Sequence, residues 1–339
     1  MSDFYKIGIT GQEGFLGTHL YNFLNLQKDV QLIHYDKTFF DNFESLSKFT
    51  KQCDIIIHLA ALNRHKNQNI LYETNISLIT KIINACKQSD SRKHIIFSSS
   101  TQITNDSLFA KSKIDGSSLF KAWAKDSDNL FTNLIIPNVF GPFGKPFYNS
   151  FIATFCQQLI NDESPTIDYD NNVKLIYVGT LVNEIYKILK NNSLKDDNLN
   201  FNNLEIKHDK QEYVSEILSK LKDYKNQYKL NTSFPNLDSK FELDLFNTYR
   251  SFINMNFFPK NYVEHSDSRG SFNELIKSNS SGQFSYSSTK PGVTRGQHFH
   301  TRKVERFIVM SGKAIIKLRK IGTTQIIKYH LSGKVPQYV

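Results

Sequence analysis

Short apolar runs alternate with segments of helical periodicity along the first half of the chain. The runs predict strands at 6–10, 31–35, 54–59, 94–98 and 133–137, and the segments between them predict helices near 16–26, 71–88, 111–125 and 149–159. Strands that alternate with amphipathic helices are typical of right-handed βαβ units, which build a parallel sheet covered on both faces. The first half is therefore predicted to be an α/β domain.

The pattern changes in the last quarter of the chain. After Thr180 the sequence is polar and rich in Asn and Lys up to about Arg250. From about Asn256, short β-type runs at 284–287, 307–310, 314–318 and 325–329 are separated by turns that carry Gly and Ser. Such runs predict an all-β sandwich or barrel. At 339 residues the chain is long enough for two domains, and we expect them at 1–250 and 256–339.

Composition narrows the function classes. Hydrophobic residues make up 39% and charged residues 22%, which fits a globular protein. The formal charge of +10 is spread over scattered Lys and Arg with no nucleic-acid motif, so we expect no nucleic-acid partner. The excess of basic residues indicates either a lysine- and asparagine-rich composition or a cleft suited to anionic ligands such as nucleotides.

The compartment is predicted from three further features. The N-terminus runs straight into a strand with no signal-peptide pattern, and no apolar run is long enough for a membrane span. Cys53, Cys86 and Cys156 are widely spaced and show no metal-type pairing. They are predicted to be reduced core thiols, and the protein is predicted to be cytoplasmic.

A glycine-rich turn follows the first predicted strand, where residues 10–17 read TGQEGFLG. Gly11 permits the tight turn, Gly14 lets the backbone approach a pyrophosphate, and Gly17 allows close packing of helix on strand. Phe15 and Leu16 open the helix, whose free N–H groups and positive dipole favour phosphate. The turn predicts a dinucleotide site.

Asp36 lies at the end of the second predicted strand. A carboxylate there accepts hydrogen bonds from both ribose hydroxyls and repels a 2′-phosphate, which favours NAD over NADP. The adjacent Lys37 partly offsets that repulsion. Asp36 also fits an ordinary turn residue, so the coenzyme is predicted as NAD or NADP with a preference for NAD.

Four segments resemble the extended short-chain dehydrogenase/reductase family: Thr10–Gly17, His58–Ala61, Ser98–Ser100 and Pro137–Gly141. The resemblance implies that Leu59, Ala60 and Ala61 line the coenzyme. It also implies that a Ser polarises the substrate carbonyl, and that a Tyr-x-x-x-Lys pair donates the proton and holds the nicotinamide ribose. Ser100 matches the serine and Lys113 matches the lysine.

Phe109 occupies the position of the catalytic tyrosine in this resemblance. Hydride delivery to a ketone creates an alkoxide that must be protonated, and a phenyl ring has no proton to give. General acid catalysis contributes about 10²–10⁴-fold, so we expect a slow or inactive reductase unless Ser100, Thr101 or water substitutes. Gly179 is a second departure, because relatives carry Asp there.

The C-terminal part resembles the cupin family, through a first motif that runs from Gly292 to Gly312. His298 and His300 are predicted two apart on a strand, with both imidazoles on one side, and Glu305 on the next strand. Two His and one carboxylate suit zinc or another divalent metal such as iron. Because the chain stops at Val339 before any second cupin motif, the barrel is expected to be truncated.

Residues 267–274 and 295–298 further resemble the nucleotide-sugar epimerase cupins. In those proteins the histidine that corresponds to His298 is a base that removes a proton next to a ketone. His298 cannot use one nitrogen lone pair both for a metal and as a base, and the sequence leaves both roles open.

The order of the two domains resembles a bifunctional family of capsular polysaccharide enzymes that make UDP-N-acetyl-L-fucosamine precursors. The resemblance implies that the cupin inverts C3 of a UDP-2-acetamido-2,6-dideoxy-4-hexulose, and that the reductase then reduces the C4 ketone. It also implies a UDP-sugar substrate and a homodimer. The residues expected to bind the substrate are Asn63, Arg64, Ser100, Asn138, Lys145, Tyr148 and Asn149.

Three other functions stay open. A catalytically impaired or truncated member would bind nucleotides without turnover, as Phe109 and the end at Val339 suggest. A non-haem iron oxygenase would use His298, His300 and Glu305 as a facial triad. A nucleotide-sugar epimerase or dehydratase would work with bound NAD, although that chemistry also needs the tyrosine.

Overall fold

The structure, a computed structural model, describes residues 5–89, 91–101, 107–190, 200–278, 282–301 and 303–339. Its described residues divide into two compact units. One contains residues up to Tyr262 together with Glu274–Ser285, and the other contains Val263–Asn273 and Tyr286–Val339. Residues 1–250 and 256–339 as separate folding domains stay a prediction.

A six-stranded parallel sheet forms the centre of the first unit, with strand order β2-β1-β3-β4-β5-β8. The strands are β1 (Tyr5–Thr10), β2 (Val30–Ile33), β3 (Ile55–His58), β4 (His94–Ser100), β5 (Leu130–Ile136) and β8 (Phe201–Glu205). Thr10 pairs with His58, and His58 pairs with Phe97. This register brings the carboxyl ends of β1, β3 and β4 together at one edge of the sheet.

Helices cover both faces of the sheet. One core cluster joins the sheet to α2 (Phe43–Gln52), α3 (Gln68–Cys86) and α4 (Leu108–Lys125). A second cluster, on the opposite face, joins it to α1 (Phe15–Leu24) and α6 (Val178–Lys190). Burial on both faces explains the continuous apolar runs of the strands. The predicted Rossmann-type α/β fold is confirmed.

A smaller three-stranded sheet completes the first unit, with order β6-β7-β9. Its strands are β6 (Asn138–Phe140), β7 (Asn172–Tyr177) and β9 (Lys210–Tyr213). Helices α5 (Phe151–Ile160), α7 (Val214–Tyr224) and α8 (Lys240–Arg250) pack into a third apolar cluster with β6 and β7.

Helices α4 and α5 are among those that begin at positions different from the prediction, and a serine side chain caps each of the two. The Ala110 N–H donates to Ser107 Oγ at 3.1 Å, so α4 begins at Leu108 rather than at residue 111. The Ala153 N–H donates to Ser150 Oγ at 3.2 Å, so α5 begins at Phe151 rather than at residue 149. A serine cap satisfies an N–H group that has no partner within the helix.

Antiparallel strands make up the C-terminal part of the chain, as predicted for a β domain. Strands β10 (Glu264–Asp267), β11 (Gly270–Lys277) and β12 (Gln283–Ser287) form one sheet, and β13 (Lys313–Arg319) and β14 (Ile326–Ser332) form another. The predicted strand at 307–310 is wrong, because this segment makes only an isolated bridge between Ile308 and Tyr338.

The three cysteines, Cys53, Cys86 and Cys156, are buried and free, as predicted. Burial raises the pKa of the Cys53 and Cys86 thiols to about 12, so both stay protonated at neutral pH. Among the described residues, no helix combines the length and the apolar character that a membrane crossing requires.

Candidate coenzyme and catalytic site

The glycine turn connects β1 to α1 and leaves no space for side chains at two positions. Gly11 has a φ of +74°, and a Cβ there would lie 2.7 Å from the Ala60 backbone nitrogen. A Cβ on Gly17 would lie 2.1 Å from the Gly11 carbonyl oxygen. The Gly14 N–H donates to that same oxygen at 3.0 Å. The turn is therefore as tight as its sequence predicts.

The N-terminus of α1 presents free donors at this turn. Gly14 is the N-cap, no side chain caps it, and the first turn contains no acidic residue. The first N–H groups and the positive end of the helix dipole are therefore free to meet an anion. Phe15 and Leu16 pack against the core cluster beneath α1, which fixes the direction of the helix.

Asp36 lies beyond the end of β2 and caps a 3₁₀ turn at Lys37–Asp41. Its Oδ1 accepts hydrogen bonds from the Thr38 N–H at 2.8 Å and from the Thr38 hydroxyl at 2.7 Å. These bonds to Thr38 lower the pKa of the Asp36 carboxyl below its usual value. Lys37 points to Glu13, with Nζ 3.9 Å from Oε2. The carboxylate is thus ionised, and one of its two oxygens accepts both hydrogen bonds within the turn.

The segment after β3 is fixed to β1 by backbone and side-chain hydrogen bonds. The Leu59 N–H donates to the Thr10 carbonyl at 3.1 Å, and the Ala60 N–H approaches Thr10 Oγ1 at 3.5 Å. Ala60 lies directly against Gly11, and Ala61 follows it, half-buried. The residues predicted to line a coenzyme after β3 therefore lie beside the glycine turn.

His58 is a structural residue in this region. It is buried, with Nδ1 2.7 Å from Thr10 Oγ1, and its ring stacks on Phe97 at 5.9 Å between centroids. Burial lowers the pKa of His58 to about 3, with a smaller contribution from Lys113. The imidazole is therefore neutral at physiological pH.

Asn75 is a positioning residue that the sequence reasoning missed. Its Oδ1 accepts from the Leu62 N–H at 2.7 Å, and its Nδ2 donates to the Leu62 carbonyl and to Ser112 Oγ, both at 3.1 Å. One buried side chain on α3 thus joins the segment after β3 to α4. The available signal was a polar residue on the apolar face of α3, one turn after Leu71 and one turn before Ile79.

The structure brings together some, but not all, of the segments that carry the residues predicted to bind substrate. Asn63 and Arg64 follow Leu62, and Arg64 Nε donates to Asn149 Oδ1 at 3.1 Å. Lys145 Nζ lies 5.2 Å from the centre of the Tyr148 ring. Asn138 opens β6, where it pairs with Leu175.

The catalytic residues of the resemblance come from β4 and α4. Ser100 is the last residue of β4 and pairs with Ile136 of β5. Phe109 lies in the first turn of α4 and is half-buried, and Lys113 follows one turn later. The Lys113 ammonium donates to the Ser98 carbonyl at 2.8 Å.

Aromatic rings surround the Lys113 ammonium. Nζ lies 4.6 Å from the centre of the Phe97 ring and 5.7 Å from the centre of the Phe109 ring. Cations are attracted to such ring faces. Burial lowers the pKa of Lys113 to about 8. At neutral pH the group is still mostly protonated, but it gives up its proton more readily than an exposed lysine does.

The second unit contains a cluster of three possible metal ligands. One ligand atom from each of His298, His300 and Glu305 lies within 4.8 Å of the others. His300 Nε2 is 3.3 Å from Glu305 Oε1, which also contacts Lys303 Nζ at 3.0 Å. The expectation that these residues lie on strands is wrong. Gln297 has a φ of +61°, a left-handed conformation that breaks an extended strand before His298.

Two family profiles match the chain, and together they span most of its length. The NAD dependent epimerase/dehydratase family matches residues 7–202. The chain belongs to this family. A second profile, the polysaccharide biosynthesis C-terminal domain, matches residues 265–339. The family's dependence on NAD agrees with the glycine turn and the free helix N-terminus.

Individual relatives support the same grouping over nearly the whole chain. A UDP-2-acetamido-2,6-beta-L-arabino-hexul-4-ose reductase from Pseudomonas aeruginosa is 29% identical over 336 residues, which cover 98% of this chain and 88% of the relative. The crystal structure of the capsular polysaccharide assembling protein CapF from Staphylococcus aureus is 30% identical and superposes with a TM-score of 0.83, covering 98% of this chain and 89% of that one.

A more distant structure shows the fold of the first unit alone. UDP-glucuronic acid 4-epimerase from Bacillus cereus, solved with UDP-glucuronic acid and NAD, is 18% identical. Its TM-score is 0.59, and the match covers 73% of this chain and 98% of that one.

Proposed function

We propose that the protein is a nucleotide-sugar reductase of surface or capsular polysaccharide synthesis. Its first unit uses NADH or NADPH to reduce the C4 ketone of a UDP-2-acetamido-2,6-dideoxy-4-hexulose. Its second unit inverts C3 of the same sugar before reduction. The order is chemically coherent, because a C4 ketone acidifies the adjacent C3–H bond and is afterwards the acceptor of the hydride.

The coenzyme assignment is supported by the residues at one edge of the parallel sheet. The pyrophosphate would lie at Gly14 and the N-terminus of α1, where donors are free and the dipole is favourable. Asp36 would accept from the adenosine ribose through the oxygen that Thr38 does not use. An ionised carboxylate at that position favours NAD over NADP.

The substrate assignment is supported by the relatives. The Pseudomonas aeruginosa relative is named a reductase of a UDP-linked hexul-4-ose, and the Staphylococcus aureus relative is named a capsular polysaccharide assembling protein. Arg64 and Lys145 supply positive charge for a diphosphate, and the Arg64–Asn149 hydrogen bond joins the two segments that carry those residues.

The reduction requires a hydride, which the bound nicotinamide coenzyme supplies. Ser100 would donate a hydrogen bond to the ketone oxygen, and Lys113 would hold the nicotinamide ribose with the N–H groups that Ser98 does not use. The Lys113 ammonium also stabilises negative charge that develops on the oxygen, because it lies in a buried setting where charge interactions are strong.

The second unit is proposed to hold a divalent metal at His298, His300 and Glu305. Two imidazoles and one carboxylate within 4.8 Å are a donor set that suits zinc or iron. A metal there would polarise the C4 ketone and so acidify C3–H. With His298 as a ligand, another group is the base. With His298 as the base, only His300 and Glu305 remain as ligands.

One observation carries the proposal. The glycine turn, Asp36 and Lys113 lie at the same edge of the parallel sheet, and the chain matches a hexulose reductase over 98% of its length. The test is incubation of the purified protein with the UDP-4-keto sugar in deuterated water, with and without NADPH or NADH. Coenzyme oxidation with a C4 alcohol product supports the reductase, and deuterium at C3 supports the epimerase. Absence of UDP-sugar binding by calorimetry would contradict the substrate assignment.

Phe109 favours a second function, which is nucleotide binding without turnover. In that case calorimetry detects both the coenzyme and the UDP-sugar, while neither coenzyme oxidation nor deuterium incorporation is observed. The two functions therefore predict different results in the same assay of coenzyme oxidation and deuterium incorporation, on the same sample.

The homodimer stays a prediction that an independent measurement can check. Light scattering coupled to size-exclusion chromatography should give about twice the monomer mass across a range of protein concentrations. A monomer at every concentration would contradict it.

A further inference from the structure

A cavity of about 250 Å³ lies between α4 and strands β4, β5 and β8. Its polar lining consists mainly of Ser99, Lys113, Ser117, Lys121, Asn133 and Asn203. Lys113 is buried at one part of this lining, whereas Lys121 is exposed and lies 4.5 Å from the centre of the Phe201 ring. The lining therefore includes one buried lysine and one exposed lysine.

A buried side chain in this cavity has an unused acceptor. Asn133 is 5% exposed, and its Nδ2 donates to Asn203 Oδ1 at 2.9 Å. Its Oδ1 is buried and has no partner among the described residues. Since buried polar groups are normally hydrogen-bonded, this oxygen is an acceptor for water that enters the cavity from solvent.

We propose that Lys113 itself donates the proton that completes the reduction, and that water in this cavity returns the proton to it. This inference rests on the proposed function. The fold holds Phe109 where a phenol would otherwise act, beside an ammonium that has three N–H groups. Ser98 accepts one of them, so two remain for the substrate side and the cavity.

The ketone carbon gains a hydride from the reduced nicotinamide, so the C=O π bond breaks and a C–H bond forms. The alkoxide oxygen takes a proton from Lys113 Nζ, directly or through one bridging hydroxyl or water, which leaves a neutral amine. A cavity water then protonates the amine from solvent. The sugar is reduced and the coenzyme is oxidised.

The environment of Lys113 suits a group that must lose and regain a proton. Burial lowers its pKa to about 8, and none of the residues that line the cavity is a carboxylate that would hold the proton. The titratable groups that face it are Lys121 on α4, across the cavity, and His58 on β3, which is neutral. An acid with a pKa near the working pH is efficient at proton transfer.

The decisive test compares Lys113→Arg in two backgrounds, the natural chain and Phe109→Tyr. Arginine keeps the positive charge but does not release its proton, so coenzyme binding should persist. We expect kcat to fall at least about tenfold in the natural background, and to be largely rescued when Phe109→Tyr supplies a phenol. Lys111→Met, an exposed lysine on the same helix, is the matched control and should leave kcat within about twofold.

The pH dependence provides a second kinetic readout. If the protonated lysine is the donor, kcat of the natural chain should fall as the pH rises through about 8. Unchanged kcat in Lys113→Arg, or equal losses in both backgrounds, would overturn the inference. Reduction by Phe109→Tyr but not by the natural chain would overturn the inference and the proposed reductase together, and would favour nucleotide binding without turnover.

A readout without coenzyme completes the test. Acetic anhydride labelling of the apo protein, followed by mass spectrometry of the peptides, gives the pH dependence of each amine. Lys113 should become reactive around pH 8. A Lys113 amine that reacts only well above pH 8 would contradict the inference. Failure of every variant to reduce the sugar, with both ligands bound, contradicts the proposed reductase itself.

Discussion

Phe109 presents a phenyl ring to Lys113, with Nζ 5.7 Å from the ring centre. The two residues thus keep the spacing of a catalytic Tyr–Lys pair on α4, but only the lysine has a proton to give. Ser98 fixes the ammonium, and Asn75 fixes both Ser112 on α4 and the Leu62 segment. The hydroxyl is therefore missing beside a lysine whose supporting contacts are in place.

Restoring that hydroxyl should raise the rate of reduction. We expect Phe109→Tyr to increase kcat at least about tenfold, because it adds a second general acid next to Lys113. The check is the oxidation of NADPH or NADH with saturating 4-keto sugar. The control is Phe43→Tyr, which adds a hydroxyl to an exposed ring on α2 and should change nothing. No gain in Phe109→Tyr would mean that the site is impaired beyond this one position.

The glycine turn allows folding and coenzyme binding to be tested separately. A Cβ on Gly17 would lie 2.1 Å from the Gly11 carbonyl oxygen and 2.6 Å from Gln12 Cα, so backbone atoms must move. Gly17→Ala should therefore lower the free energy of unfolding by roughly 1–3 kcal/mol and abolish coenzyme binding.

Gly14→Ala is the matched variant, because its Cβ would approach only the Gly11 carbonyl oxygen, at 3.2 Å. It should nearly preserve the melting temperature. It should also lower the affinity for the coenzyme at least about tenfold, because the added methyl group blocks the pyrophosphate. Thermal unfolding and calorimetry give both quantities. Equal coenzyme affinity in Gly14→Ala and the natural chain would contradict the predicted position of the pyrophosphate.

The parts of the fold that depend on local pattern were predictable. The apolar runs predicted the order of the strands and of the helices between them, because strands buried on both faces must be continuously apolar. Gly11, Gly14 and Gly17 gave the turn, because each has a distinct steric reason that follows from the sequence alone. Ser100, Phe109 and Lys113 as the catalytic positions come from the family resemblance and stay a prediction.

The parts that depend on distant contacts were not predictable. The hydrogen bonds of Asn75 join residues from three separate segments, and no spacing along the chain reveals them. The cavity behind Lys113 needs Asn133 of β5 and Asn203 of β8, which the sheet register pairs. In the second unit, His298 and His300 lie close together on an irregular segment rather than on a strand. The cluster was therefore predicted from a strand conformation that this segment does not adopt.

Asn75 should support the substrate site from a distance. Asn75→Ala removes the hydrogen bonds to Leu62 and Ser112 and leaves the Leu62 N–H and carbonyl without this partner, so we expect a loss of about 1–3 kcal/mol in the free energy of unfolding. Because Asn63 and Arg64 follow Leu62, KM for the UDP-sugar should rise more than KM for the coenzyme. Asn69→Ala, an exposed position on the same helix, is the control. An unchanged KM for the UDP-sugar would make Asn75 purely a stability residue.

Two buried histidines should make the fold sensitive to acid. Burial lowers the pKa of His58 to about 3 and of His94 to about 4, whereas an unfolded histidine titrates near 6.5. Below pH 6.5 the unfolded chain therefore binds protons that the folded chain does not, and stability falls with the pH until the folded pKa values are reached. Each histidine should lower the free energy of unfolding by about 2 kcal/mol between pH 7 and pH 5.

Urea unfolding at several pH values measures this loss. His58→Gln should be less stable at pH 7 but should have a flatter pH dependence, because the group that titrates only in the unfolded chain is gone. If His58→Gln fails to fold, His94→Gln provides the same test of the pH dependence. This variant alters the contact with Thr132. His34→Gln changes an exposed histidine and should keep the slope of the natural chain. A slope that stays the same in both buried-histidine variants would mean that carboxylates alone set the acid sensitivity.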